Sequence, residues 1–129
     1  MASEGLHEPL DLVRPATVDR HRANTSLREE FEAVDWYDQR VDATTDTELA
    51  AVLAHNRDEE KEHAAMTLEW LRRHDPVLDG HLRTYLFTTE PVTEIEAEAE
   101  AAGGAASPSP AGTPPGSGSL AIGSLKGVD

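Results

Sequence analysis

The chain has 129 residues, with 25 acidic and 11 basic side chains and a net charge of −14, a balance that argues against nucleic acid and anionic membrane surfaces as partners. It has no cysteine, which removes disulfides, thiolate metal sites and thiol catalysis. The length allows one domain at most, no run approaches a membrane span, and no apolar segment follows basic residues at the N-terminus, so the expected location is the cytoplasm or something assembled there.

Residues 1–16 are polar and contain Pro9 and Pro15, which predicts an N-terminal segment with at most a short helix. Thr17 is the predicted N-cap of a helix running to about Asp42. Thr45 followed by Glu48 has capping-box spacing and predicts the start of a second long helix, ending near His74. Asp75 and Pro76 then restart a helix as N-cap and first helical residue, with an apolar face of Val77, Leu78, Leu82, Tyr85 and Leu86. Pro91 breaks that pattern, and Val92 to Glu100 predicts a short acidic helix. From Ala101 to Ser119 there is only Ala, Gly, Ser, Pro and Thr, so 91–119 reads as an acidic, then Ala/Gly/Pro-rich, flexible linker. Apolar residues return in 120–127, where Leu120, Ile122 and Leu125 have the look of a docking peptide at the end of a disordered tail.

The expected fold class is all-α. Thr44, Thr45 and their neighbours are too short a connection for anything but an antiparallel hairpin of the two long helices, each roughly 40 Å long at about 1.5 Å per residue. Residues 17–90 form the predicted helical domain. About ninety folding residues are close to the size where one core becomes marginal, and oligomerisation is the natural remedy.

Both long helices carry charge on an apolar seam. In the first, Ala23, Leu27, Glu30, Val34, Tyr37 and Val41 step by four and three. In the second, the stripe is Leu49, Val52, Leu53, Asn56, Glu60, His63, Ala64, Thr67, Trp70 and Leu71. Charges there are costly unless compensated. Glu30 lies about twelve residues before the turn and Glu60 to His63 about fifteen to eighteen after it, so an antiparallel hairpin sets three potential ligands at similar heights. One Glu on one helix and a Glu-x-x-His on its partner are half of a carboxylate-bridged di-iron set. Two hairpins about a twofold axis would supply four carboxylates and two imidazoles, whose four negative charges match two divalent cations. Ion pairing with Arg28 or Arg57 is the plainer explanation of the buried glutamates.

Other clusters are softer. Glu29 and Glu32, with Trp36 one turn on, share a face able to hold a hydrated cation, though a solvated surface is the default. His55, Glu59 and Glu62 fall at i, i+4 and i+7, again on one face. Tyr37 is a core aromatic whose hydroxyl could reach a metal-bound species. His21, His74 and His81 read as surface or packing histidines.

The stretches Glu32–Arg40, His55–Trp70 and Leu82–Thr88 closely resemble the encapsulated ferritins, and Gly118–Gly127 resembles the cargo-loading peptide by which such proteins enter encapsulin nanocompartments. The likeness spans about residues 7–90 plus the terminal peptide. It implies a ferritin-like two-helix protomer that dimerises into a four-helix-bundle-like unit, with five dimers in an annular homodecamer. It also implies an enzyme, a ferroxidase that oxidises Fe2+ to Fe3+ with O2 for mineral storage inside the encapsulin shell. Under it, Glu30, Glu60 and His63 become ligands of a di-iron centre shared between subunits, and Tyr37 a tyrosine just outside them. Glu29, Glu32 and Trp36 become a metal-uptake site, His55, Glu59 and Glu62 a peripheral one, and Leu120, Ile122 and Leu125 the targeting residues. The competing functions are a metal-free helical adaptor acting through its terminal peptide, and a passive binder of zinc or calcium.

Overall fold

The computed structural model describes residues 5–106. Among them the chain is all-helical, with no strand: a 3-10 turn at Leu10–Leu12, then α1 (Pro15–Ala43), α2 (Thr47–Arg73), α3 (Pro76–Tyr85) and α4 (Val92–Ala106). They form two compact units that divide between His74 and Asp75, inside the 17–90 segment that the sequence suggested as one domain.

The first unit is the α1/α2 hairpin. α1 starts at Pro15, with Arg14 as an extended N-cap that gives no side-chain hydrogen bond, three residues before the expected N-cap Thr17. Proline is pre-set for the first helical position, and its missing N–H is one the helix would leave unpaired anyway. The helix closes with Thr44 N–H donating to the Arg40 carbonyl at 3.1 Å. α2 starts one residue later than the capping-box spacing indicated. Its N-cap is Asp46, whose carboxylate accepts from Leu49 N–H at 2.9 Å, while Asp46 N–H donates to Thr44 Oγ1 at 3.1 Å. A carboxylate at the positive end of a helix also meets the macrodipole, so Asp46 outcompetes Thr45. At the other end Arg72 and Arg73 sit in the last turn, where cations are favoured.

The seams come out as the 3-and-4 spacing requires, but only half covered. Ala23, Leu27, Glu30, Val34, Tyr37 and Val41 are all half-buried on α1. On α2 Ala64 and Leu71 are buried, Leu53, Asn56, Glu60, His63, Thr67 and Trp70 are half-buried, and Leu49 and Val52 are exposed. One partner helix covers one line of a stripe that is more than 100° wide. Ala64 and Leu71 are the buried core among the described residues, and Phe31, Trp36, Met66, Leu49 and Val52 stay open to solvent.

In the second unit α3 packs on α4. α3 is capped as expected: Asp75 accepts from Leu78 N–H at 3.0 Å and Pro76 occupies the first helical position. On its apolar face Leu78, Leu82 and Tyr85 are half-buried, while Val77 and Leu86 are exposed. The helix ends at Tyr85 with Leu86 as an extended C-cap, and Phe87 follows with φ 63°, a left-handed conformation costing about 1–2 kcal/mol for a residue with a side chain. α4 continues to Ala106, six residues beyond the expected end at Glu100. Alanine is the strongest helix former, so Ala101, Ala102, Ala105 and Ala106 extend the helix into what composition alone marked as linker. Residues 107–119 of that linker, and Leu120, Ile122 and Leu125 of the terminal peptide, lie outside the described residues.

Candidate metal centre

α1 contributes Glu30, one turn before Val34 on the half-buried seam. Its Oε1 is shielded from solvent and has no hydrogen-bond partner. A carboxylate oxygen in that position forfeits its hydration without replacement, which folding alone does not reward. α2 contributes Glu60 and His63, which i, i+3 spacing places on one face. His63 Nδ1 lies 3.5 Å from Glu60 Oε1, and the side chains are 45% and 29% exposed. The plainer explanation of these glutamates is not what the structure shows. Arg28 donates to Thr25 Oγ1 at 3.4 Å, and Arg57 to Asp38 and Asp58, each at 3.0 Å.

These donors suit a hard or borderline divalent cation, which accepts mixed carboxylate and imidazole ligation. One chain, however, does not complete a site. Among the described residues no group of three or more His, Asp or Glu side chains converges to hold a metal ion. The structure thus brings Glu60 and His63 together and leaves Glu30 apart from them, its Oε1 an unsatisfied acceptor.

The outlying sets are less assembled. Glu29, Glu32 and Trp36 are all exposed on α1. The Arg40 guanidinium lies 5.9 Å from the Trp36 ring centroid and 5.6 Å from that of Tyr37, within cation–π range of both. Tyr37 is half-buried on the seam. His55 Nε2 stands 3.8 Å from Glu59 Oε2, whereas Glu62 is simply exposed.

Sequence reasoning missed two features. Arg57 ties α2 to Asp38 of α1, and its guanidinium is held further toward the charged form by Asp58 and then Asp38; Asp58 is in turn pulled below its usual range by Arg57. No helical spacing rule signals a pair nineteen positions apart. His74 stacks on Trp70 with centroids 3.8 Å apart, and its Nδ1 lies 2.7 Å from the Trp70 carbonyl oxygen. The i, i+4 spacing was the available signal.

An all-helical chain with carboxylates on the facing seams of a long hairpin, one of them in Glu-x-x-His, falls in the ferritin-like class. More closely, it belongs to the EncFtn-like family, whose family model matches residues 5–89. A protein of Rhodospirillum rubrum named encapsulated ferritin-like protein is 63% identical over 127 residues, covering 98% of this chain and 91% of its own. A Myxococcus xanthus protein named encapsulin nanocompartment cargo protein is 36% identical over 58 residues, 45% of each chain. The crystal structure of a Nitrosomonas europaea protein matches with a TM-score of 0.66 at 61% identity, covering 68% of this chain and 97% of that one.

Proposed function

We propose that the protein is a ferroxidase that takes Fe2+ as substrate and O2 as electron acceptor, at a di-iron site shared by two copies of the chain. The observation that carries this reading is the buried, partnerless Glu30 Oε1 on the same hairpin as a Glu60–His63 pair that no arginine reaches. Each copy would supply Glu30, Glu60 and His63, which accounts for the lack of a three-ligand group among the described residues of one chain. Two such sets carry four carboxylates, whose charge balances two ferrous ions and offsets the desolvation of the cluster.

The residues then have distinct tasks. The carboxylates of Glu30 and Glu60 draw the divalent ions onto the seam and hold them. Each ferrous ion loses one electron and gains one unit of positive charge. Anionic oxygens favour the more highly charged product by simple Coulomb attraction, so the groups that bind Fe2+ also make it easier to oxidise. Glu60 and His63, with Oε1 and Nδ1 3.5 Å apart, would act together as a carboxylate–imidazole ligand pair on one face of α2. Tyr37, half-buried on the same seam with Arg40 5.6 Å from its ring centroid, would supply a hydroxyl hydrogen-bond donor beside the ligand set.

The names of the relatives support association with an encapsulin shell; we extend that reading to a cytoplasmic cargo protein loaded through Leu120, Ile122 and Leu125, as homodimers joined in an annular homodecamer. Metal-free adaptor function is the second reading, consistent with the open ligand set of one chain. The deciding experiment adds Fe2+ aerobically to the parent, Glu60→Ala and His63→Ala proteins and follows ferric absorbance in the ultraviolet. Both variants should oxidise iron at least about 10-fold more slowly, the scale of losing a metal-supporting group. Equal rates in all three would remove Glu60 and His63 from the site, and no oxidation by the parent would favour the adaptor.

A further inference from the structure

Arg57 stands three positions before Glu60 on α2, a spacing at which helix side chains are neighbours, with Cβ atoms about 5–6 Å apart. Its side chain is 23% exposed. A guanidinium so placed would be expected to bind the nearest seam carboxylate. Instead Nε donates to Asp58 Oδ1 at 3.0 Å and Nη1 donates across the hairpin to Asp38 Oδ1 at 3.0 Å. Glu60 is left facing His63, and Glu30 Oε1 faces no donor at all.

That choice of partners matters for a cation site. A charge-assisted arginine–carboxylate bond is among the stronger side-chain contacts, and arginine stays protonated at any pH the protein meets. An Arg57–Glu60 pair would compete with a metal ion directly, and no deprotonation of the guanidinium would relieve it. Lys61 does not replace Arg57 in its cradle, because its ammonium lies 3.6 Å from the same Asp58 Oδ1 and reaches no atom of Asp38.

We propose that Asp38 and Asp58 form a carboxylate cradle that holds Arg57 off Glu60, keeping the Glu60–His63 pair open to a divalent cation. Arg57 is then a positioning residue: it binds no metal, it ties the hairpin, and its place decides whether Glu60 is available. The proposal rests on the reading of Glu60 and His63 as metal ligands.

The test uses the full chain and Co2+ as probe, with binding followed by calorimetry and by the visible absorption of the bound ion. Asp38→Asn combined with Asp58→Asn frees Arg57, and Co2+ affinity should fall about tenfold, the scale of one hydrogen bond to a charged group. Adding Arg57→Gln to that double variant removes the competitor and should restore the affinity. A charge-matched control, Asp42→Asn with Glu48→Gln, should change it far less, which separates pairing from loss of net charge. Asp58→Asn alone keeps the tie to Asp38 and should show a smaller loss, so the proposal stays measurable if the double variant is unstable. For ferroxidation the double variant should raise KM for Fe2+ with little change in kcat. Unchanged Co2+ affinity in the double variant, or a loss that Arg57→Gln does not restore, overturns the cradle while leaving the metal site standing. Unchanged Co2+ binding in Glu60→Ala overturns the metal-site reading, and the cradle with it.

Discussion

Glu30→Leu should stabilise the metal-free protein and abolish its response to metal. Glu30 Oε1 is shielded and unpartnered, so the parent carries a desolvation penalty until a cation arrives. An unsatisfied buried polar group costs about 1–3 kcal/mol. The residue as a whole is only half-buried, which argues for the lower end, about 1 kcal/mol. Leucine also adds apolar surface to a seam that already holds Leu27, Val34 and Tyr37. For a folded region of this size, 1 kcal/mol raises Tm by about 4–8 °C. With metal present the order should invert: at a free metal concentration 100 times Kd the parent gains about 2.7 kcal/mol, and the variant gains little. Thermal melts with EDTA and with Co2+, at one fixed protein concentration because assembly makes Tm concentration-dependent, measure both terms. A variant less stable than the parent in EDTA would make Glu30 an ordinary structural carboxylate. An undiminished Co2+ shift in the variant would remove it from the ligand set.

Three other outcomes follow from the geometry. Asp46→Ala should cost about 1 kcal/mol, because Asp46 caps α2, whereas Thr45→Ala should stay within about 0.5 kcal/mol; denaturant titration of the two separates the observed cap from the one that capping-box spacing suggests. Glu69 accepts from Arg72 and Arg73 at 2.7 Å each, and these hold its carboxylate down to about 2 from 4.5. Its folded-state value is depressed, so its stabilisation is complete above pH 4.5 and fades as the pH falls toward 2; the difference in Tm between parent and Glu69→Gln should shrink across that window, and a constant difference would contradict the pairing. Deleting residues 118–129 should leave iron oxidation in vitro unchanged and prevent co-purification with a co-expressed encapsulin shell; full loading of the truncated protein would refute the targeting role of Leu120, Ile122 and Leu125.

The helices were legible because their signals are local. Pro76 behind Asp75, and the 3-and-4 seams through Leu27 and Leu53, need no information beyond a few neighbouring residues. The errors came where two local signals competed. Pro15 falls in the polar segment expected ahead of the helix yet suits a first helical position, capping-box spacing favours Thr45 where Asp46 holds the cap, and composition groups the alanines from Ala101 with the Gly and Pro that follow them. The positions of Glu30, Glu60 and His63 on the seams were equally legible, since amphipathic spacing alone puts them there. Their partners were not. Arg57 could reach Glu60 by helix spacing, and only the packing of α1 on α2 brings Asp38 into competition for it.

The incomplete site and the thin core have one physical origin. A two-helix hairpin covers one side of each seam, so Ala64 and Leu71 are buried while Phe31, Leu49, Val52 and Met66 remain open. The same geometry leaves Glu60 and His63 partly exposed, where charge is tolerable, and shields Glu30 Oε1 without a partner. On the proposed reading, a second hairpin would bury the open apolar residues and supply the missing ligands in one step. Metal then adds binding free energy that exists only across the interface, so it should favour the associated state, as any ligand favours the state that binds it. On that reading, the unmet demand of Glu30 in one chain would add to the burial of the open apolar residues in favouring two.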